Sequence, residues 1–201
     1  MTVPVQSCWV RERFAAARMP IRAAIPEDAP LHPAAVLVPL VERPGGLHLI
    51  LTRRTPHLRA HAGQISFPGG RIEPNDPSSL AAALREAEEE IGLSQTSVEL
   101  LGSLPEYPTG TGFRIQPWVG LVDPEAHLVA DPVEVDEIFE VPLQYVLDVT
   151  NHRPHPVSHG GRRYRLCAIP YRDYYIWGAT AAILRDLYRL LADCPEAPET
   201  P

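Results

Sequence analysis

Cysteine is scarce in this chain of 201 residues: Cys8, Cys167 and Cys194 are odd in number and far apart. That spacing excludes a disulfide framework and points to a reducing compartment. The thiols read as buried or incidental rather than as nucleophiles. Long apolar runs are also missing, and none approaches the roughly 20 residues of a membrane-spanning helix. The first residues mix Trp9, Arg11, Glu12 and Arg13 where a secretory signal would carry an apolar core. Excess positive charge is absent too: the formal net charge is −7, which disfavours indiscriminate binding of nucleic acid. The chain ends at Pro201 without the Ser-Lys-Leu of a peroxisomal address, so a cytoplasmic location is expected.

What is present suits one enzyme domain. The composition, 45% hydrophobic and 21% charged over 201 residues, provides a full core but not two large ones. Residues 34–40 and 47–52 read as β-strands, with Gly45-Gly46 as the hairpin turn between them. Further strands are expected over 98–104, 115–121 and 163–169, and the 107–112 segment reads as a joining loop. Residues 177–191 place Ala181, Ile183, Leu184, Leu187 and Leu191 at helical spacing, as in a packing helix. The expected division is an N-terminal extension over residues 1–30 that packs on the domain, a catalytic domain over 31–193 and a flexible Pro-rich tail over 194–201. The order fits an α/β sandwich.

The most informative segment is acidic. Glu86, Glu88, Glu89 and Glu90 fall within five residues of a helical pattern. On a helical wheel with Glu86 at zero, Glu90 lies at about 40° and Glu89 at about 300°, so these three share a face, while Glu88 at about 200° does not. Like charges at this spacing disfavour a bare helix, whereas a hard cation such as Mg²⁺ or Mn²⁺ reverses the sign. Asp76 is the expected N-cap with Pro77 at the first helical position. Leu80, Leu84, Ala87 and Ile91 form the expected buried stripe, Gly92 the left-handed stop, and Arg85 the ion-pair partner of Glu89.

From Gly70 through Arg85-Glu86-Ala87-Glu88-Glu89-Glu90-Ile91-Gly92-Leu93, the chain resembles the signature of the Nudix hydrolases. That signature runs glycine, a spacer, then Arg-Glu-apolar-any-Glu-Glu-any-Gly-apolar. Here the spacer is one residue longer than the commonest form, and its usual glutamate is replaced by the Asp76-Pro77 region. A second stretch is similar to the motif of the coenzyme A pyrophosphatase branch, with Ile50-Leu51-Thr52, Arg54, Arg59, Gly63 and Phe67-Pro68-Gly69-Gly70 at matching places. The departures are Ile50 for leucine and Thr55 for the usual serine or alanine.

The resemblance implies a Nudix-type α/β/α sandwich with a mixed β-sheet between helices. It implies Mg²⁺ or Mn²⁺ as cofactor, Glu86 and Glu90 as metal ligands, and Glu89 as a ligand or base held by Arg85. Glycine permits close approach, so backbone carbonyls at Gly69 and Gly70 are candidate ligands as well. Glu134 is a candidate loop acid completing the site, with Glu137 as its substitute. Arg54 and Arg59 are expected to pair with substrate phosphates through guanidinium forks. Trp177 and Tyr107 are candidates for stacking an adenine, with packing the alternative. His152, His155 and His159 sit among prolines without structural-zinc spacing and read as a polar loop.

The activity so implied is hydrolysis of the pyrophosphate of coenzyme A or a derivative, on a small-molecule substrate, without nucleic acid or membrane as partner and with a homodimer open. Another nucleoside diphosphate derivative (ADP-ribose, a dinucleotide, a nucleoside triphosphate) and a non-hydrolysing nucleotide sensor are the alternatives.

Overall fold

Residues 34 to 41 are apolar at consecutive positions, which suits a strand buried on both faces. The computed structural model, which describes residues 5–17, 31–57, 62–159 and 162–192, places them so. In chain order the elements are α1 (Ser7–Ala16), β1 (His32–Arg43), β2 (Gly46–Arg54), β3 (Ile65–Ser66), β4 (Gly69–Arg71) and α2 (Ser79–Ile91). There follow β5 (Val98–Ser103), β6 (Tyr107–Pro108), β7 (Phe113–Val122), β8 (Val135–Pro142) and α3 (Leu143–Leu147). The last are β9 (Arg153–His159), β10 (Arg162–Tyr171), β11 (Tyr174–Trp177) and α4 (Gly178–Ala192).

Among the described residues, eight strands form a mixed sheet in the order β3-β2-β1-β7-β5, with β4 also on β1, β6 on β7 and β8 on β2. The long β1–β7 pairing is parallel, and its neighbours are antiparallel. Alternation along β1 divides the core in two. Ala35, Leu37 and Val41 join Ala83, Ala87 and Ile91 of α2, while Val38 and Leu40 join Leu184 and Leu187 of α4. Helices therefore cover both faces, and the molecule is an α/β/α sandwich around a mixed sheet. A smaller antiparallel sheet, β11-β10-β9, lies beside it. No helix among the described residues is long and apolar enough to cross a membrane.

Several local expectations shift. The hairpin turns on Pro44-Gly45 rather than Gly45-Gly46: Arg43 pairs with Gly46, and Gly45 takes the positive φ of 104° that follows proline in such turns. The 107–112 segment is not all loop, since β6 pairs with β7. Helix α1 arises where no periodic apolar pattern stood out; Val10 alone is fully buried there, with Trp9 and Phe14 packed beside the core. His152 to His159 is mostly strand β9, not a polar loop. Pro154 and Pro156 alternate along an edge strand, where a missing N–H is readily tolerated. Residues 18–30 of the expected extension, and the 194–201 tail, lie outside the described residues.

Helix α2 is capped by Ser78, whose Oγ accepts from the Ala81 N–H at 3.1 Å. Asp76 is not the cap, because its carboxylate is taken by Arg85 and by the Glu73 N–H. Gly92 ends the helix at φ 65°, as expected. The buried stripe is Ala82, Ala83, Ala87 and Ile91, while Leu80 and Leu84 stay half-buried on the flank. The alanines let α2 lie close to the sheet, and the helix is turned so that Glu90 faces inward with them.

Candidate active site

Glu90 is the acid this rotation buries: only 3% of it is exposed. A carboxylate taken from water needs partners, and two elements supply them. The Gly69 N–H at the start of β4 donates to Oε2 at 3.1 Å, and Arg54 Nη1 at the end of β2 donates to Oε1 at 3.2 Å. Burial still prevails, pushing the Glu90 carboxyl up to about 7, and the nearby charges of Glu86 and Glu134 add to the rise. Burial likewise raises Glu86, against the opposing pull of Arg85.

Arg85 is the organising cation. Its Nε and Nη2 donate to the two oxygens of Asp76, each at 3.0 Å, and Nη2 also reaches the Arg71 carbonyl. Nη1 donates to Glu86 at 3.0 Å and to Glu89 at 2.9 Å. The expected Arg85–Glu89 pair is thus one arm of a larger clamp. Beside this guanidinium the Asp76 carboxyl is held below the usual carboxylate range. The chain contains no lysine, so guanidinium is the only side-chain cation of fixed charge available to these acids. Its planar fork is what allows one residue to serve Asp76, Glu86 and Glu89 at once. Arg85→Ala should therefore cost about 2 kcal/mol in urea unfolding, since several charge-assisted bonds are lost and Glu86 stays half-buried. Arg85→Lys should recover little of it, because an ammonium cannot bond both Asp76 oxygens in parallel.

The acidic face comes together as expected on α2, with Glu86 half-buried, Glu89 exposed and Glu90 buried. Glu134, just before β8, approaches from the other side through Arg54, whose Nη2 donates to it at 3.3 Å. Arg54 is thus engaged with Glu90 and Glu134, and its Nε is buried with no partner among the described residues. Glu137 does not join; it pairs with Arg53 at 2.9 Å and accepts from the Tyr174 hydroxyl at 2.8 Å. Arg59 lies outside the described residues. His152 and His155 sit elsewhere, against the Val146 carbonyl and the Tyr175 hydroxyl. Asp76 is the site residue that residue-by-residue reading gave a different task.

Gly69 and Gly70 are in strand β4, paired with Val36 and Ala35 of β1, rather than in a loop. The Gly69 N–H is the group there that contacts the acidic helix. A Cβ on Gly70 would stand 2.5 Å from the Glu86 carboxyl carbon, so glycine is what leaves room for that acid. Among the described residues no three acidic, histidine or cysteine side chains already converge as a cation cage. The donor set nonetheless fits a hard divalent cation: carboxylate oxygens of Glu86, Glu89 and Glu90 lie on one helix face, with two guanidiniums compensating their charge.

Comparison with known proteins agrees with this arrangement. Residues 30–158 match the family model of the NUDIX domain. A Klebsiella pneumoniae protein described as an uncharacterized Nudix hydrolase, NudL, is 44% identical over 154 residues, covering 77% of this chain and 80% of that protein. The NudL of Escherichia coli K12 is 43% identical over the same shares of the two chains. Among solved structures, the Nudix hydrolase RenU of M. smegmatis matches with a TM-score of 0.55 at 20% identity, over 84% of this chain and 90% of that one. A C. elegans Ap4A hydrolase matches with a TM-score of 0.53 at 15% identity, over 81% and 99%. These structural likenesses carry the fold alone; the match of the domain and the identity to NudL establish that this chain belongs to the Nudix hydrolase family.

Proposed function

We propose that, among the nucleoside diphosphate derivatives open to a Nudix hydrolase, this protein cleaves coenzyme A or an acyl derivative at its pyrophosphate. The products would be 4′-phosphopantetheine, free or acylated, and adenosine 3′,5′-bisphosphate. The observation that carries this reading is spatial. Arg54 and Phe67 to Gly70 belong to the stretch similar to the coenzyme A pyrophosphatase motif, and this stretch meets the acidic helix directly: Arg54 and Gly69 are the two partners of Glu90.

In this reading Glu86, Glu89 and Glu90 hold Mg²⁺ or Mn²⁺, as Nudix hydrolases generally use divalent metal. Bound there, the ion would neutralise the pyrophosphate oxygens and acidify a water. Arg85 fixes Glu89 and Glu86 in place, so their positions do not depend on the substrate. Glu89, exposed and held at one oxygen, is free to act as ligand or base, and Glu134 is the loop acid that Arg54 holds beside Glu90. Arg54, with Arg59, supplies guanidinium to the substrate's phosphates. The substrate is a small molecule reached from cytoplasm, and residues 31–193 act as one catalytic domain bearing the 1–30 extension.

A mass-spectrometric product assay tests this. Coenzyme A, dephospho-coenzyme A, ADP-ribose and nucleoside triphosphates are each incubated with Mg²⁺, Mn²⁺ or chelator. Metal-dependent release of phosphopantetheine, fastest from coenzyme A, is the expected result. Faster cleavage of another substrate would keep the metal helix and remove coenzyme A. No turnover of any by the folded, metal-loaded protein would favour a nucleotide sensor.

A further inference from the structure

A cleft of about 350 Å³ opens at the edge of the large sheet, between β3 and the small sheet. Its walls include Arg53, Gln64, Asp173, Tyr175 and Trp177. Two of these join it to the acidic site. Arg53 precedes Arg54, the residue that reaches Glu90 and Glu134, and the Gln64 carbonyl accepts the Arg54 N–H at 3.0 Å. From Ile65 in the cleft wall to Gly69, whose N–H holds Glu90, there are four residue steps through the bend at Pro68, so the two are about 14 Å apart at most. That is the reach of an extended nucleotide from its base to its second phosphate.

The chemistry of the walls suits a flat heteroaromatic ring. Tyr175 and Trp177 project from the same side of β11, and His155 of β9 stands against both, with ring centroids at 5.5 Å and 4.9 Å. The Tyr175 hydroxyl and His155 Nδ1 are 2.9 Å apart, which orders this aromatic face before any ligand arrives. Tyr175 is 46% exposed, so beyond its contact with His155 the ring still presents open surface at the cleft. Asp173 is exposed at the mouth, presented by a tight turn in which Arg172 takes a left-handed φ of 52°, a conformation that a non-glycine residue adopts at some cost. Its carboxylate is an acceptor for an exocyclic amine.

We propose that this cleft is the base subsite of the substrate: the ring stacks on the Trp177–Tyr175 face and its amino group is received by Asp173. The proposal rests on the reading of the acidic site as a nucleotide pyrophosphohydrolase, and it fixes which end of the substrate points toward β11. The pantetheine half then leaves the site in another direction.

Isothermal titration with AMP and, separately, with 4′-phosphopantetheine tests the assignment in the metal-free full-length protein. Wild type, Trp177→Ala, Tyr175→Ala, Trp177→Phe and Glu90→Gln are compared, with circular dichroism as the check on folding. The expected result is that AMP binding weakens by about tenfold or more in Trp177→Ala, as loss of a stacking partner requires, and returns in Trp177→Phe. Phosphopantetheine binding should be unmoved. In turnover of coenzyme A, Trp177→Ala should raise KM by a similar factor and leave kcat nearly unchanged. AMP binding that is undetectable in wild type, or equal in wild type and both folded alanine variants, would overturn the subsite. Loss of phosphopantetheine binding instead of AMP binding would overturn it too, by giving the cleft to the other half. AMP binding that depends on Trp177 in a protein that leaves coenzyme A intact would uphold the subsite while removing the proposed substrate.

Discussion

Glu90→Gln is expected to lower metal-dependent turnover by about three orders of magnitude while the protein stays folded. The substitution keeps the shape and still offers an amide oxygen to the Gly69 N–H, so the contact between β4 and α2 survives. What it removes is the charge a divalent cation needs at the most buried point of the site. Glu89→Gln should cost similarly in turnover and leave stability nearly untouched, because Glu89 is exposed. Near-normal rates in both purified variants would displace the site from this helix face.

The same variant has a second signature, in stability. In the folded, metal-free chain the Glu90 carboxyl titrates at about 7, above the roughly 4.3 of an unfolded glutamate. Between those values the folded state binds more protons than the unfolded one. Stability therefore falls as pH rises through that window and levels off above pH 7. Over the whole window the contribution is at most about 4 kcal/mol. Urea unfolding in chelator should show wild type losing stability from about pH 4 to pH 7, and Glu90→Gln losing much less. An identical pH dependence in the two would mean that burial does not govern this carboxyl.

Gly69→Ala is the change expected to damage the fold most. A Cβ there would collide with the Ala35 carbonyl and stand 2.6 Å from the Val36 Cα, at a φ of 152° that side chains rarely adopt. Both obstacles are backbone of the central strand β1, so neither moves without disturbing the β1–β7 ladder. A loss of about 3 kcal/mol or more is expected in urea or thermal unfolding, enough to leave a marginal domain partly unfolded. Gly63→Ala is the comparison. Its φ of 69° also favours glycine, but no atom stands within 4 Å of the added carbon, so only about 1 kcal/mol should be lost. Equal losses would mean that the backbone collision at Gly69 is relieved more easily than its neighbours suggest.

Fold and site were legible in the sequence to different depths. The strands with apolar runs and the α2 and α4 helices stood out because each buries a face with a regular period. Strand β9 did not, because its prolines mimic a loop and its place at a sheet edge is what accommodates them. Within the site, Arg85 with Glu89 was legible because the two are four residues apart on one helix. Arg85 with Asp76 was not: nine residues separate them, and a turn of no fixed geometry lies between.

The sequence by itself determined the acidic face of α2, its glycine stop and the arrangement of apolar strands, since these depend on spacing along the chain. Only the tertiary structure decided which acid is buried and what meets it. Arg54 reaches Glu90 across 36 positions and Glu134 across 80, contacts set by the pairing of β2 with β3 and β8. The inward turn of Glu90 likewise follows from three alanines fitting the sheet where leucines would stand off from it. Such long-range fits depend on how whole elements pack, and no local period encodes them.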